Sequence, residues 1–275
     1  MSACRDFVVE PIEGHHAIYE RGLTSLAHDG VPFLAGGALA LAAYAGIRRN
    51  TKDLDLFVRE RDVPRVLEVL AHAGFRTETP YPHWLAKGYA GEHFIDVIFS
   101  SGNGIAPVDD EWFEHAVPAV VFGTPVSLCP VEETIWSKSF VMERERYDGA
   151  DVAHLLFGSG ETLDWKRLLR RFGPHWRVLL SHLILFGYVY PDDASRIPSW
   201  VMNELVRRLR RDERALRARA SPPRGEPRVC RGTLLSREQY LPDLAQGCTD
   251  ARQRPAGPMS DEHIATWTEA IGRSK

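Results

Sequence analysis

The sequence has no uncharged apolar run of the roughly 18–20 residues that a membrane-spanning helix needs. The longest candidate, Val31 to Ile47, falls short and is broken by glycines and a proline. The opening stretch MSACRDFVVEPIEGHH is polar and lacks an apolar signal core. Cysteine is scarce: Cys4, Cys129, Cys230 and Cys248 are scattered over 275 residues, with no C-x-x-C pair and no zinc spacing. Such usage argues against a disulfide framework and reads as reduced thiols in a cytoplasmic protein. Among the 11 histidines there is no H-E-x-x-H or H-x-x-x-H pattern. His15, His16, His83, His93 and His154 therefore read as ordinary surface or core residues, and no zinc is assigned. Neither sign of charge dominates, with 34 basic against 37 acidic side chains and a formal net charge of −3, so a histone-like or tail-dominated protein is excluded.

What is present is an ordinary globular composition, 44% hydrophobic and 26% charged, with a marked internal asymmetry. Residues 1–160 carry 13 basic and 23 acidic side chains, whereas residues 161–231 carry 16 and 8. One half is suited to cations and the other to an anionic partner. Hydrophobic spacing predicts helices over His16–His28, Ala38–Ala45, Arg61–His72 (Pro64 in its first turn) and Asp110–His115, with strands at Val31–Leu34, Leu54–Val58, through Phe75–Ser100, at Ala119–Phe122 and at Val126–Leu128. Beyond Pro130 the spacing is helical throughout: Val131–Met142, Asp148–Leu156, Trp165–Phe172, His175–Phe186 and Pro198–Arg217. Trp165, Trp176 and Trp200 are expected in the core. The order predicts a mixed α/β domain over residues 1–130 and a helical domain over 131–217. Residues 218–275 begin with a Pro/Arg-rich linker, contain an apolar stretch GTLLSREQYLPDL suited to docking, and end in a helix capped by Ser260.

Three features carry chemistry. Gly36-Gly37 lies between a strand and a helix, where a backbone without side chains can approach a phosphate and the helix N-terminus can face it. Asp53-x-Asp55 opens a strand, and the period of two sends both carboxylates to one side. Asp96 interrupts the apolar strand His93–Phe99, a costly position for a carboxylate without a partner or a metal ion. Paired carboxylates repel, and Mg²⁺, which takes oxygen ligands together with substrate phosphates, relieves that repulsion.

The run FLAGGALALAAYAGIRRNTKDLDLFV resembles the signature of the DNA polymerase β-type nucleotidyltransferase superfamily, in which a Gly-Gly or Gly-Ser turn, a helix and a polar segment precede Asp-x-Asp. The matching parts are Gly36, Gly37, Arg48, Thr51, Asp53 and Asp55, and Asp96 in FIDVIF matches the third family carboxylate. The later run VEETIWSKSFVMERERYDGADVAHLL is similar to a segment of AbiEii-like toxins and minimal nucleotidyltransferases, with Lys138, Asp148 and Asp151 at the matching positions. The resemblance spans about residues 30–157. It departs from the family where relatives carry Lys-Asp and this chain has Tyr147-Asp148, which turns attention to Lys138, Arg144 and Arg146 as cations near a triphosphate.

The resemblance implies a mixed sheet with flanking helices, followed by a helical domain. It also implies transfer of a nucleoside monophosphate from an NTP to a hydroxyl with release of pyrophosphate. Asp53, Asp55 and Asp96 would hold two Mg²⁺ ions; Gly36 and Gly37 would cradle phosphates; Lys138 would offset their charge. Arg48, Thr51, Lys52, Arg144, Arg146, Asp148 and Asp151 complete the implied nucleotide site. In plainer readings Asp148 is a helix N-cap and Asp151 pairs with Arg144. The implied partners are an NTP, an RNA or protein acceptor and a cognate antitoxin. The arginines from Arg207 to Arg219 read either as a solvated helix face or as a phosphate-tracking surface. Two alternatives stand beside this one: a small-molecule (aminoglycoside-type) nucleotidyltransferase, and a non-catalytic nucleotide-binding regulator on the same fold. Asp96 held in a salt bridge away from Asp53 and Asp55 would favour the regulator.

Overall fold

The structure is a computed structural model that describes residues 7–9, 16–49, 53–218, 228–255 and 257–270. Its first part alternates strands and helices: β1 (Phe7–Val9), α1 (His16–His28), β2 (Leu34–Ala35), α2 (Gly37–Ala45), β3 (Asp53–Phe57), α3 (Val63–His72), β4 (Arg76–Tyr81), β5 (Leu85–Ala90), β6 (His93–Ile98), α4 (Asp110–Glu114), β7 (Val117–Val121) and β8 (Thr124–Leu128). Helices then take over: α5 (Val131–Lys138), α6 (Gly149–Ser159), α7 (Trp165–Phe172), α8 (Trp176–Val189) and α9 (Ser199–Ala218). The last stretch holds β9 (Val229–Cys230), α10 (Leu241–Ala245), β10 (Thr249–Asp250) and α11 (Asp261–Glu269). The fold is thus mixed α/β with a helical region after the sheet, as the sequence predicts. No helix among the described residues is long and apolar enough to cross a membrane.

Eight strands form one mixed sheet in the order β1-β7-β8-β2-β3-β6-β5-β4. The period-two pattern decides what each face of its centre carries. In β3, Leu54 and Leu56 are buried with Ile95 and Val97 of β6 against Leu23 and Leu26 of α1 and Val66 and Leu70 of α3. The alternate residues, Asp53, Asp55 and Phe57 with Phe94, Asp96 and Ile98, point to the opposite face. On that side Phe57 joins a second core that includes Leu34, Trp112, Ile135, Leu155, Phe172 and Phe186. The helical region therefore packs on the face that bears the acids.

A buried charge network fastens α7 to what precedes it. Arg167 pairs with Glu132 and lies 3.4 Å from Glu133. Arg171 reaches Glu133 at 3.0 Å and Asp109 at 2.6 Å. Burial pushes the Glu133 carboxyl up despite both arginines. Arg167→Ala is expected to cost about 3–5 kcal/mol in urea unfolding, because buried Glu132 loses its ion-pair partner and buried Glu133 keeps only Arg171; a loss below about 1 kcal/mol would show that water already screens the network.

Several elements differ from their sequence reading. The helix predicted to reach Met142 stops at Lys138, because residues 142–147 turn back on themselves through a Met142–Tyr147 bridge. Trp165 and Trp176 are in the core, but Trp200 is 45% exposed; it shares a helix with buried Val201 and Leu205 but faces the other way. Ser260 caps α11, its hydroxyl accepting the His263 N–H at 3.2 Å. Residues 228–255 and 257–270 dock on the body, where Asn103 Nδ2 donates to the Leu234 carbonyl at 2.5 Å, and are tied internally by the buried pair Asp250–Arg252 at 2.7 Å and by the Thr233 hydroxyl donating to Asp250 at 2.8 Å.

Candidate active site

β3 and β6 are parallel neighbours, and Asp55 stands opposite Asp96 in their register. With Asp53 two residues earlier on the same face, the three carboxylates each offer an oxygen within 4.8 Å of the other two. No other such cluster of potential metal ligands occurs among the described residues. Burial, then the charges of Asp53 and Asp96, push the Asp55 carboxyl up to about 7, against opposing pulls from Lys138 and Arg146. Asp96 is also raised, chiefly by burial. Nearby, Tyr19 is pushed up to about 12 by burial and by the charges of Asp53 and Asp96. A group of carboxylates that resists full ionisation is what a divalent cation would relieve, and the all-oxygen donor set suits a hard ion such as Mg²⁺.

Gly37 begins α2 with φ +54, a conformation that glycine adopts without strain. A Cβ at this position would lie inside the van der Waals sphere of Asp55 Oδ2. The Gly36 N–H donates to the Asp55 carbonyl at 3.0 Å, stitching the turn to β3. The glycines therefore place the helix N-terminus directly beside the carboxylates.

Across the site, Lys138 at the end of α5 donates to Asp148 at 3.1 Å and to Asp151 at 2.9 Å. Arg146 forks onto both oxygens of Asp148 at 3.0 and 3.1 Å. Burial works against the ionised form of Asp148, but Arg146 and Lys138 hold its carboxyl below the ordinary range. Asp148 precedes α6, yet its side chain makes no capping bond. Asp151 pairs not with Arg144 but with Lys138 and with Arg49, the latter at 2.6 Å. Arg144 is largely exposed, its closest acid being Glu145 at 3.9 Å. Arg48 is exposed. Thr51 and Lys52 lie outside the described residues, as do Cys4, His15 and Arg219.

A cleft of about 350 Å³ joins these parts: Gly37 and Asp55 line it together with Lys138, Arg146 and Asp148. The ammonium of Lys138 has three donors, two of which serve aspartates, leaving one for a ligand.

Residues missed in the sequence complete the picture. Lys87 stands opposite Asp96 in the antiparallel β5–β6 pairing and reaches its Oδ1 at 2.6 Å, with the ammonium 4.0 Å from the Phe94 ring centroid. Asp96 is thus in a salt bridge, but one that leaves it within the carboxylate cluster. Tyr19 and Arg49 were equally silent, and the Thr233–Gln239 segment, expected to dock, gave no sign that it would line the cleft. Only strand register and chain docking bring them in, and neither leaves a local pattern.

Comparison with known proteins gives one family. A family model described as an uncharacterised nucleotidyltransferase matches residues 13–177. No curated protein matches the chain. Among solved structures, the chain is similar to the antibiotic-resistance factor ANT(2'')-Ia, at 18% identity and a TM-score of 0.41 over 61% of this chain and 96% of that one. It is also similar to the lincosamide antibiotic adenylyltransferase LnuA, at 13% identity and a TM-score of 0.38 over 53% and 97%. A third is an antigenic nucleotidyltransferase-like protein from Paracoccidioides brasiliensis, at 14% identity and a TM-score of 0.43 over 68% and 94%.

Proposed function

The chain belongs to a family of nucleotidyltransferases, and from that premise we propose that it moves a nucleoside monophosphate from an NTP to a hydroxyl acceptor, with Asp53, Asp55 and Asp96 as the metal-binding and catalytic carboxylates. The observation that carries this reading is the convergence of those three acids beside the Gly36-Gly37 turn. Two Mg²⁺ ions held by them would neutralise the charge developing on the phosphoryl oxygens.

In the reaction a bond forms between the acceptor oxygen and the α-phosphorus. The bond from that phosphorus to the bridging β-oxygen breaks, and the electron pair leaves with pyrophosphate. Asp96 takes the acceptor proton; burial raises its carboxyl above the ordinary value, which makes it a stronger base than a solvated carboxylate. Gly36 and Gly37 admit the phosphates to the start of α2. The third Lys138 donor and Arg146 face the departing pyrophosphate. Asp148 and Asp151 hold Lys138 in place.

Lys87 fixes Asp96 from behind. Lys87→Met is expected to lower kcat about tenfold to a hundredfold with little change in NTP affinity, as removing the support of a ligating carboxylate does. An unchanged kcat would make the pair purely structural.

The acceptor reading favoured is an RNA end or a protein hydroxyl, supported by the arginine-rich α9. A cationic small molecule is the second reading, favoured by the acidic excess of residues 1–160. The test is label transfer from each α-³²P NTP with Mg²⁺ onto total RNA, protein and an aminoglycoside panel, with Asp53→Ala as control. Label on one class, absent in the variant, is the expected result. Equal label with wild type and variant, or none on any acceptor, would sink the proposal.

A further inference from the structure

The cleft runs from the carboxylates to an aromatic end. β6 continues past Asp96 to Ile98, and the next residue, Phe99, donates its N–H to the Trp84 carbonyl at 3.0 Å. At the rise of an extended chain the three residues after Asp96 cover up to ~10 Å, a span of the order of that from a nucleotide's phosphates across its ribose to the base. Trp84 lines the cleft there, with Asn103 and Trp267. Trp267 meets Trp84 and Tyr81 edge-on, at centroid distances of 5.2 and 5.1 Å.

This end is walled by the Thr233–Gln239 segment, which three separate stretches of chain hold in place. The Leu234 carbonyl accepts from Asn103 Nδ2 at 2.5 Å, and the Leu235 carbonyl accepts from the Met142 N–H at 3.0 Å. Glu143 accepts from the Ser236 hydroxyl at 2.5 Å and from the Arg237 N–H at 3.0 Å. The Arg237 guanidinium lies 4.6 Å from the Trp267 ring centroid, with Nε 3.6 Å from Glu143. Arg237 itself lines the cleft, and its terminal nitrogens make no hydrogen bond or ion pair with a described residue. The family match ends at residue 177, so this wall lies outside the part of the chain that the family shares.

We propose that this wall recognises the base of the bound nucleotide, with Arg237 selecting a base that carries a keto oxygen at purine C6 or pyrimidine C4, as guanine and uracil do and adenine and cytosine do not. A guanidinium carries only donors. It pairs with carbonyl and ring-nitrogen acceptors, and an exocyclic amino group at the same place is left without an acceptor. Trp84 and Trp267 supply the apolar surroundings that a planar ring needs. The inference rests on the nucleotidyl-transfer reading above.

Calorimetric titration of the full chain with each of the four NTPs and with inorganic tripolyphosphate, in Mg²⁺, tests it. GTP or UTP is expected to bind about tenfold or more tightly than ATP and CTP. In Arg237→Ala that preference collapses while tripolyphosphate affinity is unchanged. Preference for ATP or CTP, equal binding of all four, or a keto preference that survives Arg237→Ala overturns the proposal. Binding of neither NTP nor tripolyphosphate by the wild type overturns the nucleotide reading itself. Should Arg237→Ala not fold, photolabelling of the wild type with 4-thiouridine triphosphate decides: label on residues 233–239 or on Trp267 supports the wall, and label elsewhere refutes it.

Discussion

Asp55→Asn is expected to lower nucleotidyl transfer by about 10³-fold or more while the protein stays folded. Asp55 is the carboxylate that touches every part of the site: it stands opposite Asp96, shares a face with Asp53 and presses against Gly37. An amide keeps the shape but removes the charge that would hold a cation and the phosphates with it, and loss of such electrostatic stabilisation is worth several kcal/mol in the transition state. Steady-state label transfer with matched circular dichroism spectra checks it. A variant within tenfold of wild type would remove Asp55 from the chemistry.

The same substitution has a signature in stability. The Asp55 carboxyl rises from 3.8 to about 7 on folding. Below about pH 4 it is protonated in both states and costs nothing. Between pH 4 and 7 the unfolded chain releases the proton and the folded chain keeps it, so stability falls as pH rises through the folded value. In metal-free protein the loss is on the order of 2 kcal/mol for this partly buried group. Asp55→Asn should flatten the decline, and saturating Mg²⁺ should restore wild-type stability at pH 8, since a cation that binds only the folded state stabilises it. Thermal melts from pH 5 to 8, with and without EDTA, read both effects.

How far the sequence foretells this site depends on the distance over which each interaction acts. The Gly36-Gly37 turn, Asp53-x-Asp55 and the apolar frame of Asp96 are local patterns; periodicity puts Asp53 and Asp55 on one face, and the family resemblance implied the meeting with Asp96 and the glycines that the β3–β6 register provides. α1 and α7 match their predicted limits because amphipathic spacing and end signals sit in the same dozen residues. Lys87 was invisible: it is an ordinary lysine in an alternating strand until the β5–β6 register sets it against Asp96. Asp151 was given the wrong arginine because residues 142–147 turn back and carry Arg144 outward, while Arg49 arrives from the end of α2. The docking of the C-terminal stretch was foreseen from its apolar residues, but its place at the cleft was beyond reach for the same reason. Its side chains matter only because Glu143, far away in sequence, accepts bonds from Ser236 and Arg237.

Gly37→Ala is expected to damage both stability and transfer. Two independent costs fall on one atom. With φ at +54 the backbone sits in the left-handed region, where an L side chain costs about 1–2 kcal/mol. The added carbon would also overlap Asp55 Oδ2 and crowd its Cβ at 2.9 Å, and the Asp55 backbone cannot retreat, since it is held between β2 and β6 by the sheet and by the Gly36 N–H bond to its own carbonyl. Either the turn lifts away from β3, opening the proposed phosphate cradle, or the Asp55 carboxylate rotates off the cluster. Both relaxations displace a group that the proposed reaction needs by about 1 Å, enough to cost ~10²-fold in rate. Urea unfolding should show a loss of about 2–3 kcal/mol, and kcat/KM a drop of about a hundredfold or more. Gly46→Ala serves as the comparison: its φ is +69, but nothing lies within 4 Å of the added carbon. That variant should lose stability alone, about 1 kcal/mol, with transfer intact. If Gly37→Ala behaved like Gly46→Ala, the close approach of turn and carboxylate would have no part in catalysis.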